Sequence, residues 1–345
     1  MVALRVATFN VAFSRSFSGE LESALDRGGD EQIAAVQRIV ESYAPDVLLL
    51  NEVDYSPNSS LKEKLAALLS GTEKSAFRYV YFEAVNTGVA SGFDLDRDGI
   101  IGGAASDAWG FGAYPGQYGM MLLSRYPIDF HRSRTFKNFL WKDFPDAHLP
   151  KMSDGSNYYS NEELALFPLS SKSHWDVCVN VEGVSVRFLC SHPTPPVFDG
   201  AERRNFCRNQ DEINFWRYYL DGSSSIVDDL GNAGGLTDSH FVLLGDLNAS
   251  PSEGDSHKGA IRSLLNHPKI GSSERPRRSG WSGRLTHEAF HTASWKLCVD
   301  YVLPSASLSL IKQEVVWPDK RQVSLLNDCM TSSDHRMVYA DLLVE

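Results

Sequence analysis

The 345-residue sequence lacks any run of about 18 or more apolar residues, so no segment reads as a membrane-spanning helix. Positive charge is in short supply: 33 Lys and Arg stand against 44 Asp and Glu, a formal net charge of −11. Tight sequence-independent binding of duplex DNA depends on Lys and Arg neutralising phosphates, so that class is disfavoured, while a nuclease with a local basic cleft stays open. Cysteine is sparse. The five present, Cys178, Cys190, Cys207, Cys298 and Cys329, form no CxxC pair and no zinc-type spacing. Most are expected as buried thiols, with Cys178 and Cys190 able to pair across a turn at Glu182-Gly183 if the compartment is oxidising, the odd total leaving at least one unpaired. No internal repeat of fixed period and no low-complexity tract occurs. The N-terminus, MVALRVATFN, shows neither a basic stretch leading into an apolar segment nor a small-residue cleavage site. The expected compartment is cytoplasmic if Met1 is native, and periplasmic or secreted if a leader was removed.

What is present is an ordinary globular composition, 42% hydrophobic and 22% charged, which excludes disorder and leaves ample surface for a core. The length suits one large α/β domain over residues 1–345. Short apolar runs at Leu4 to Phe9, Val47 to Leu50, Met120 to Leu123, Val184 to Leu189, Phe241 to Leu244 and Val299 to Leu303 read as strands covered on both faces. Helical periodicity falls on Glu31 to Tyr43, Leu61 to Leu69, Ala201 to Leu220 and Gly259 to Asn266, with Pro45 stopping the first. A hairpin over Trp175 to Leu189 requires antiparallel neighbours, so two packed mixed sheets with helices outside fit better than one doubly wound sheet. Asn86 to Tyr118 and Phe136 to Asn161 read as long functional or mobile loops. Ser272 to Gly283, with Arg275, Arg277 and Arg278, reads as a basic surface loop.

Polar residues collect where apolar runs end. Gly245-Asp246-Leu247-Asn248 follows Phe241 to Leu244, so a buried strand delivers a carboxylate and an amide to one place. Thr8-Phe9-Asn10 and Leu50-Asn51-Glu52 end two more strands, and Glu52 is the natural ligand for a hard cation held beside a phosphate. Asp300 lies inside Cys298 to Tyr301, where a buried carboxylate needs a partner. Ser333-Asp334-His335 precedes a last strand, Met337 to Val344. A histidine held by such an aspartate becomes a fixed donor or a base. Cys190-Ser191-His192-Pro193 offers a second imidazole.

Taken in order, TFN, NEV, SHP, GDLN, VDY and SDH resemble the endonuclease/exonuclease/phosphatase superfamily, over Thr8 to Leu343. The resemblance implies a four-layer α/β/β/α sandwich of two mixed β-sheets with outer helices. It also implies a phosphoesterase that uses Mg²⁺ or Mn²⁺ to attack a phosphodiester or phosphomonoester with water. The substrate would be a small phosphoester, a lipid head group or, as the alternative, DNA or RNA; a catalytically idle binding protein on the same fold is the less favoured reading, since Glu52, Asp246 and His335 are all present. Asn10 and Glu52 would bind the metal, with Asp334 beside it or the water. Asp246 would orient the water and Asn248 hold the phosphate. His335, braced by Asp300, and His192 would contact the phosphate. A departure concerns His192: Gln117 stands where some deoxyribonuclease-like members have a carboxylate partner for that histidine.

Asp94, Asp96 and Asp98, with Gly99 and then Asp107, look like the first half of an EF-hand-type loop, to be read as a structural Ca²⁺ site or a metal-free turn. The stretch through Tyr118 resembles a bacterial, often exported branch of the superfamily. Arg203, Arg204, Asn205, Arg208, Asp211 and Glu212 cluster on the helix after His192; Arg204 and Arg208 share a face, and Arg208 is a candidate grip on a second phosphate. Trp109, Phe111 and Tyr114 are candidates for a substrate wall or for core.

Overall fold

Alternation along the apolar runs decides which way each strand faces, and here both faces are apolar. The computed structural model describes residues 1–57, 60–71, 76–271 and 275–345. The strands are β1 (Val2–Asn10), β2 (Val47–Val53), β3 (Tyr79–Tyr81), β4 (Gly119–Ser124), β5 (Ile128–Thr135), β6 (His174–Val181), β7 (Val184–Ser191), β8 (Phe241–Asp246), β9 (Arg277–Arg278), β10 (Asp300–Pro304), β11 (Ser309–Val315) and β12 (Val338–Val344). The helices are α1 (Glu20–Arg27), α2 (Glu31–Tyr43), α3 (Leu61–Leu69), α4 (Asn161–Leu164), α5 (Arg204–Leu220), α6 (Lys258–Leu265) and α7 (Val323–Ser332). One sheet runs β3-β4-β2-β1-β12-β11-β9 and the other β10-β8-β7-β6-β5. Both are mixed: β1 pairs parallel to β2 and antiparallel to β12, and β7 pairs parallel to β8 and antiparallel to β6.

Residue parity assigns three buried layers. Val6, Val47, Leu49, Phe188, Val242, Leu244 and Val302 pack between the sheets. Ala7, Phe9, Leu48 and Leu50 face the other way, onto Ile33, Val36, Ile39 and Val40 of α2 and Leu65 of α3. Leu189, Phe241 and Leu243 back onto Ile213 and Trp216 of α5 and Ile261 of α6. Each fully buried aliphatic side chain contributes roughly 1.5–3 kcal/mol, so these layers dominate the stability. The four-layer α/β/β/α sandwich follows directly from strands that are apolar on both faces.

Local signals set the boundaries. Asp30 caps α2 by accepting from Gln32 and Ile33 N–H, and Ala44 ends it at φ 44° before Pro45. The β6–β7 hairpin turns at Glu182 and Gly183, with φ 51° and 92°. Its register opposes Cys178 to Arg187 and Cys190 to Trp175, so the two cysteines do not face each other. The expected Cys178–Cys190 pairing is corrected on that ground, and all five thiols are free. Of the basic loop, residues 272–274 lie outside the described residues. Arg277 and Arg278 pair as β9 beside β11, and the Arg278 guanidinium lies 4.1 Å from the centre of the Trp317 ring. No helix among the described residues is long and apolar enough to cross a membrane.

Candidate active site

The parity that packs the sheets together also builds the site. Asn10 on β1, Asp246 on β8, Asp300 on β10 and His192 just past β7 continue the rows of side chains that face the opposite sheet. Asp300 is the register partner of Asp246. Glu52 has the wrong parity on β2, and a register shift between Asn51 and Val53, with Glu52 at φ 61°, turns it round. Gly245 brings the last piece in. Its φ is 144°, and a Cβ there would lie 2.0 Å from the Ser191 carbonyl oxygen, so only glycine lets β8 approach the strand that carries His192.

Asn10 ties the two sheets at this edge. Its Nδ2 donates to Glu52 Oε1 at 3.0 Å and to Asp246 Oδ2 at 3.1 Å, and lies 3.4 Å from His335 Nε2. Asp246 Oδ1 accepts the Asn248 N–H at 2.8 Å, while Asn248 Nδ2 donates to the Pro193 carbonyl at 3.1 Å. Nε2 of His192 and Nε2 of His335 each stand 3.5 Å from Asp246 Oδ2. His335 Nδ1 donates to Asp300 Oδ2 at 2.9 Å, and Asp300 Oδ2 also accepts from the Thr292 hydroxyl at 2.6 Å. Asp334 is exposed on the turn before His335.

The protonation states follow from burial and neighbours. Burial pushes the Asp246 carboxyl up, against the pull of His335, and Asp300 adds to the rise. Burial alone would lower His335, but Asp300 and Asp246 outweigh it and hold the imidazole protonated. His192 goes the other way: burial, then Lys172 and His335, keep it neutral. Among the described residues its buried Nδ1 has no hydrogen-bond partner. Gln117 does not supply one, because its amide donates to the Arg15 carbonyl at 2.8 Å and accepts from Ala113 N–H at 2.6 Å.

Lys172 carries no signal in the sequence. It is 6% exposed, and among the described residues its ammonium has no hydrogen bond or ion pair. Burial lowers its pKa, and the negative charges that act against this are Glu212, Glu52 and Asp246. It sits in Ser170-Ser171-Lys172-Ser173, just before β6, and nothing in that polar run distinguishes it from a surface lysine. Trp295 is a second residue that the motifs do not reveal; its ring packs edge-on against His335 at 4.6 Å and is 43% exposed.

Arg208 is not at the site. It is 7% exposed, with Nε on the Leu169 carbonyl at 2.9 Å and an Nη on the Pro168 carbonyl at 3.0 Å, and its guanidinium is 4.9 Å from the Phe167 ring centre. Both ends of the guanidinium are committed inside the protein, so the expectation of a phosphate grip is corrected. Arg204 likewise turns to the Leu95 carbonyl. Of the aromatic candidates, Trp109 packs on Phe167, Tyr114 donates to Asp54 and the Arg15 carbonyl, and Phe111 is 63% exposed. In the Asp-rich loop, Asp94, Asp96 and Asp107 bring carboxylate oxygens within 4.8 Å of one another. Asp98 stands outside that group, accepting the Ile100 N–H.

The donor set suits a hard divalent cation. Glu52 gives one oxygen to Asn10, and among the described residues none engages its other oxygen. Asp246, Asp300 and His335 also converge within 4.8 Å. Asp300 is already committed to His335 and Thr292, whereas Glu52 keeps one oxygen available; the Asn10 amide turns its Nδ2 to Glu52 and its Oδ1 to the Ala12 N–H at 3.2 Å.

A two-sheet sandwich with carboxylates, amides and imidazoles at one strand edge defines a superfamily of metal-dependent phosphoesterases and nucleases. The chain belongs to the Endonuclease/Exonuclease/phosphatase family, whose model matches residues 7–335. No curated protein matches it by sequence. Among solved structures, an endonuclease/exonuclease/phosphatase from Beutenbergia cavernae is 19% identical with a TM-score of 0.54, covering 100% of this chain and 72% of that one. A Bacteroides vulgatus family member is 14% identical, TM-score 0.52, with 100% of both chains covered. Sphingomyelinase C from Streptomyces griseocarneus is 16% identical, TM-score 0.51, with 99% of each chain covered. At these identities the likeness establishes the fold.

Proposed function

We propose that this protein hydrolyses a small phosphodiester or phosphomonoester by in-line attack of water, as a single catalytic domain. The observation that carries this reading is the shared amide of Asn10, which ties Glu52 and Asp246 within 3.1 Å of one nitrogen. A cation seat and a water-orienting carboxylate are thereby held next to each other. Mg²⁺ or Mn²⁺ held by Glu52 and Asn10, with Asp334 nearby, would neutralise charge on the phosphoryl oxygens. Asp246 then orients the attacking water and takes up its proton. His335, kept protonated by Asp300, donates to a phosphoryl oxygen, and neutral His192 donates through Nε2. Lys172 adds a positive charge, and Asn248 holds the phosphate from the strand end. Donors fixed before the reaction would need no reorganisation when charge develops. The loop of Asp94, Asp96 and Asp107 would take a structural Ca²⁺, checked by a calcium-dependent rise in Tm that Asp94→Asn removes.

The test is hydrolysis of bis-p-nitrophenyl phosphate and p-nitrophenyl phosphate by wild type and Asp246→Ala, with EDTA and then with Mg²⁺, Mn²⁺ or Ca²⁺ restored. Metal-dependent turnover abolished in Asp246→Ala supports the reading, and the preferred ester separates diester from monoester chemistry. Turnover confined to DNA or RNA would instead favour a nuclease. No turnover on these esters, on nucleic acids or on phospholipids would overturn it.

A further inference from the structure

One turn of α5 reaches three of the loops that form the site. Glu212, 1% exposed, accepts from the Ser171 N–H at 2.6 Å and the Ser171 hydroxyl at 2.8 Å through Oε1, and from the Thr194 N–H at 2.7 Å through Oε2. Ser171 adjoins Lys172, and Thr194 lies two residues past His192. Asn209, fully buried on the same face, donates from Nδ2 to the Thr194 carbonyl at 2.9 Å and the Leu247 carbonyl at 3.1 Å. Leu247 lies between Asp246 and Asn248. Arg208 holds the carbonyls of Pro168 and Leu169, at the start of the Lys172 loop.

We propose that Glu212 and Asn209 are positioning residues that fix Lys172, His192 and the Asp246–Asn248 turn relative to one another. Their catalytic consequence rests on the phosphoesterase reading. Loops carrying reacting groups are the least constrained parts of a sandwich, and sub-ångström placement governs donors aimed at a developing charge. A carboxylate that takes three N–H or O–H donors from two loops gives each an acceptor that water would otherwise provide. Both oxygens are used, one for each loop. A glutamine at 212 keeps shape and volume but offers only one carbonyl oxygen, so one loop loses its acceptor and meets an N–H instead. Helix α5 is rigid here because Ile213, Phe215 and Trp216 are fully buried in the core behind it. The fixed element is therefore the helix, and the loops are referenced to it.

Two measurements decide the matter. On bis-p-nitrophenyl phosphate with Mg²⁺, Glu212→Gln is expected to lower kcat/KM about thirty-fold. In the Lys172→Met background the same change is expected to cost less than in wild type, about three- to ten-fold, because the share of the loss carried by the Lys172 loop is already gone while the share carried by the His192 loop remains. Losses that multiply fully in both the Lys172→Met and a His192→Ala background would overturn the proposal, since a general weakening of the fold acts alike in every background. The second measurement needs no turnover: amide hydrogen exchange is expected to speed up about ten-fold or more in Glu212→Gln at Ser171 or at Thr194, whichever loop meets the amide N–H, with β8 amides unchanged. Unchanged exchange at both loops would overturn it. If Glu212→Gln fails to fold, Asn209→Leu is read in the same way at Thr194 and at Leu247. An inactive wild type whose loops loosen as expected would count against the phosphoesterase reading and leave the α5 assignment standing.

Discussion

His335 and Asp300 meet across 2.9 Å, Nδ1 to Oδ2, with the Thr292 hydroxyl donating to the same carboxylate oxygen at 2.6 Å. The aspartate holds the imidazole protonated and in one orientation, with Nε2 facing Asp246. Asp300→Asn keeps the shape and removes the charge that sustains protonation. Activity is expected to fall on the order of 10²-fold or more, in kcat, with little change in Tm. Full activity in Asp300→Asn would remove His335 from the charged-donor role. Thr292→Ala, which leaves the carboxylate charged, is expected to cost about ten-fold or less.

Glu52 reaches the site because β2 shifts register and takes a positive φ at that residue. Glu52→Gln preserves the hydrogen bond to Asn10 while removing the charge that would attract the cation. The concentration of Mg²⁺ giving half-maximal activity is expected to rise about 10–100-fold, measured by metal titration after EDTA treatment. An unchanged midpoint would move the cation to Asp246 and its neighbours.

Much of this was legible in the sequence because strands buried on both faces leave an unbroken apolar run, and a polar residue at its end stands out. Asn10, Glu52 and Asp246 stand out in this way, the structure brings them together with His335, and the periodicity before Pro45 matches the extent of helix α2. The missed elements lack that contrast. β5 carries Asp129, His131, Arg132 and Arg134 and is largely exposed at a sheet edge, so no alternation marks it. α1 buries only Leu21 and Ala24. Arg208 was misplaced and Lys172 overlooked for a related reason: a cation's role depends on what its long side chain meets across the fold, and local sequence does not encode that. Arg208 finds two carbonyls, and among the described residues the Lys172 ammonium finds none.

Lys172 is therefore expected to show a stability–activity trade-off. A largely buried lysine whose ammonium has no partner among the described residues is costly to the fold, and methionine fills nearly the same space without charge. Lys172→Met is expected to raise stability by roughly 1–3 kcal/mol in urea unfolding. The same variant is expected to lose activity on the order of 10²-fold, as when one donor to a developing oxyanion is removed. A variant both less stable and fully active would mean that Lys172 is structural.

His174 makes the pH dependence of stability testable away from the reacting groups. Its Nε2 donates to the Glu212 carbonyl at 2.8 Å and its Nδ1 accepts from the Ser170 hydroxyl at 2.6 Å, an arrangement that requires the neutral ring. Burial lowers its pKa from 6.5 to about 4, only partly offset by the Glu212 carbonyl. The unfolded chain thus binds a proton near pH 6.5 that the folded protein refuses until about pH 4. Stability from this group is complete above pH 6.5 and drains away as pH falls towards 4, by about 3 kcal/mol in all. Urea unfolding of wild type and His174→Gln across about pH 4 to 8 checks the sign and the size: the variant starts less stable at the alkaline end, and the gap between the two narrows as the pH drops. A gap that is constant with pH would show that His174 is not held neutral by its surroundings.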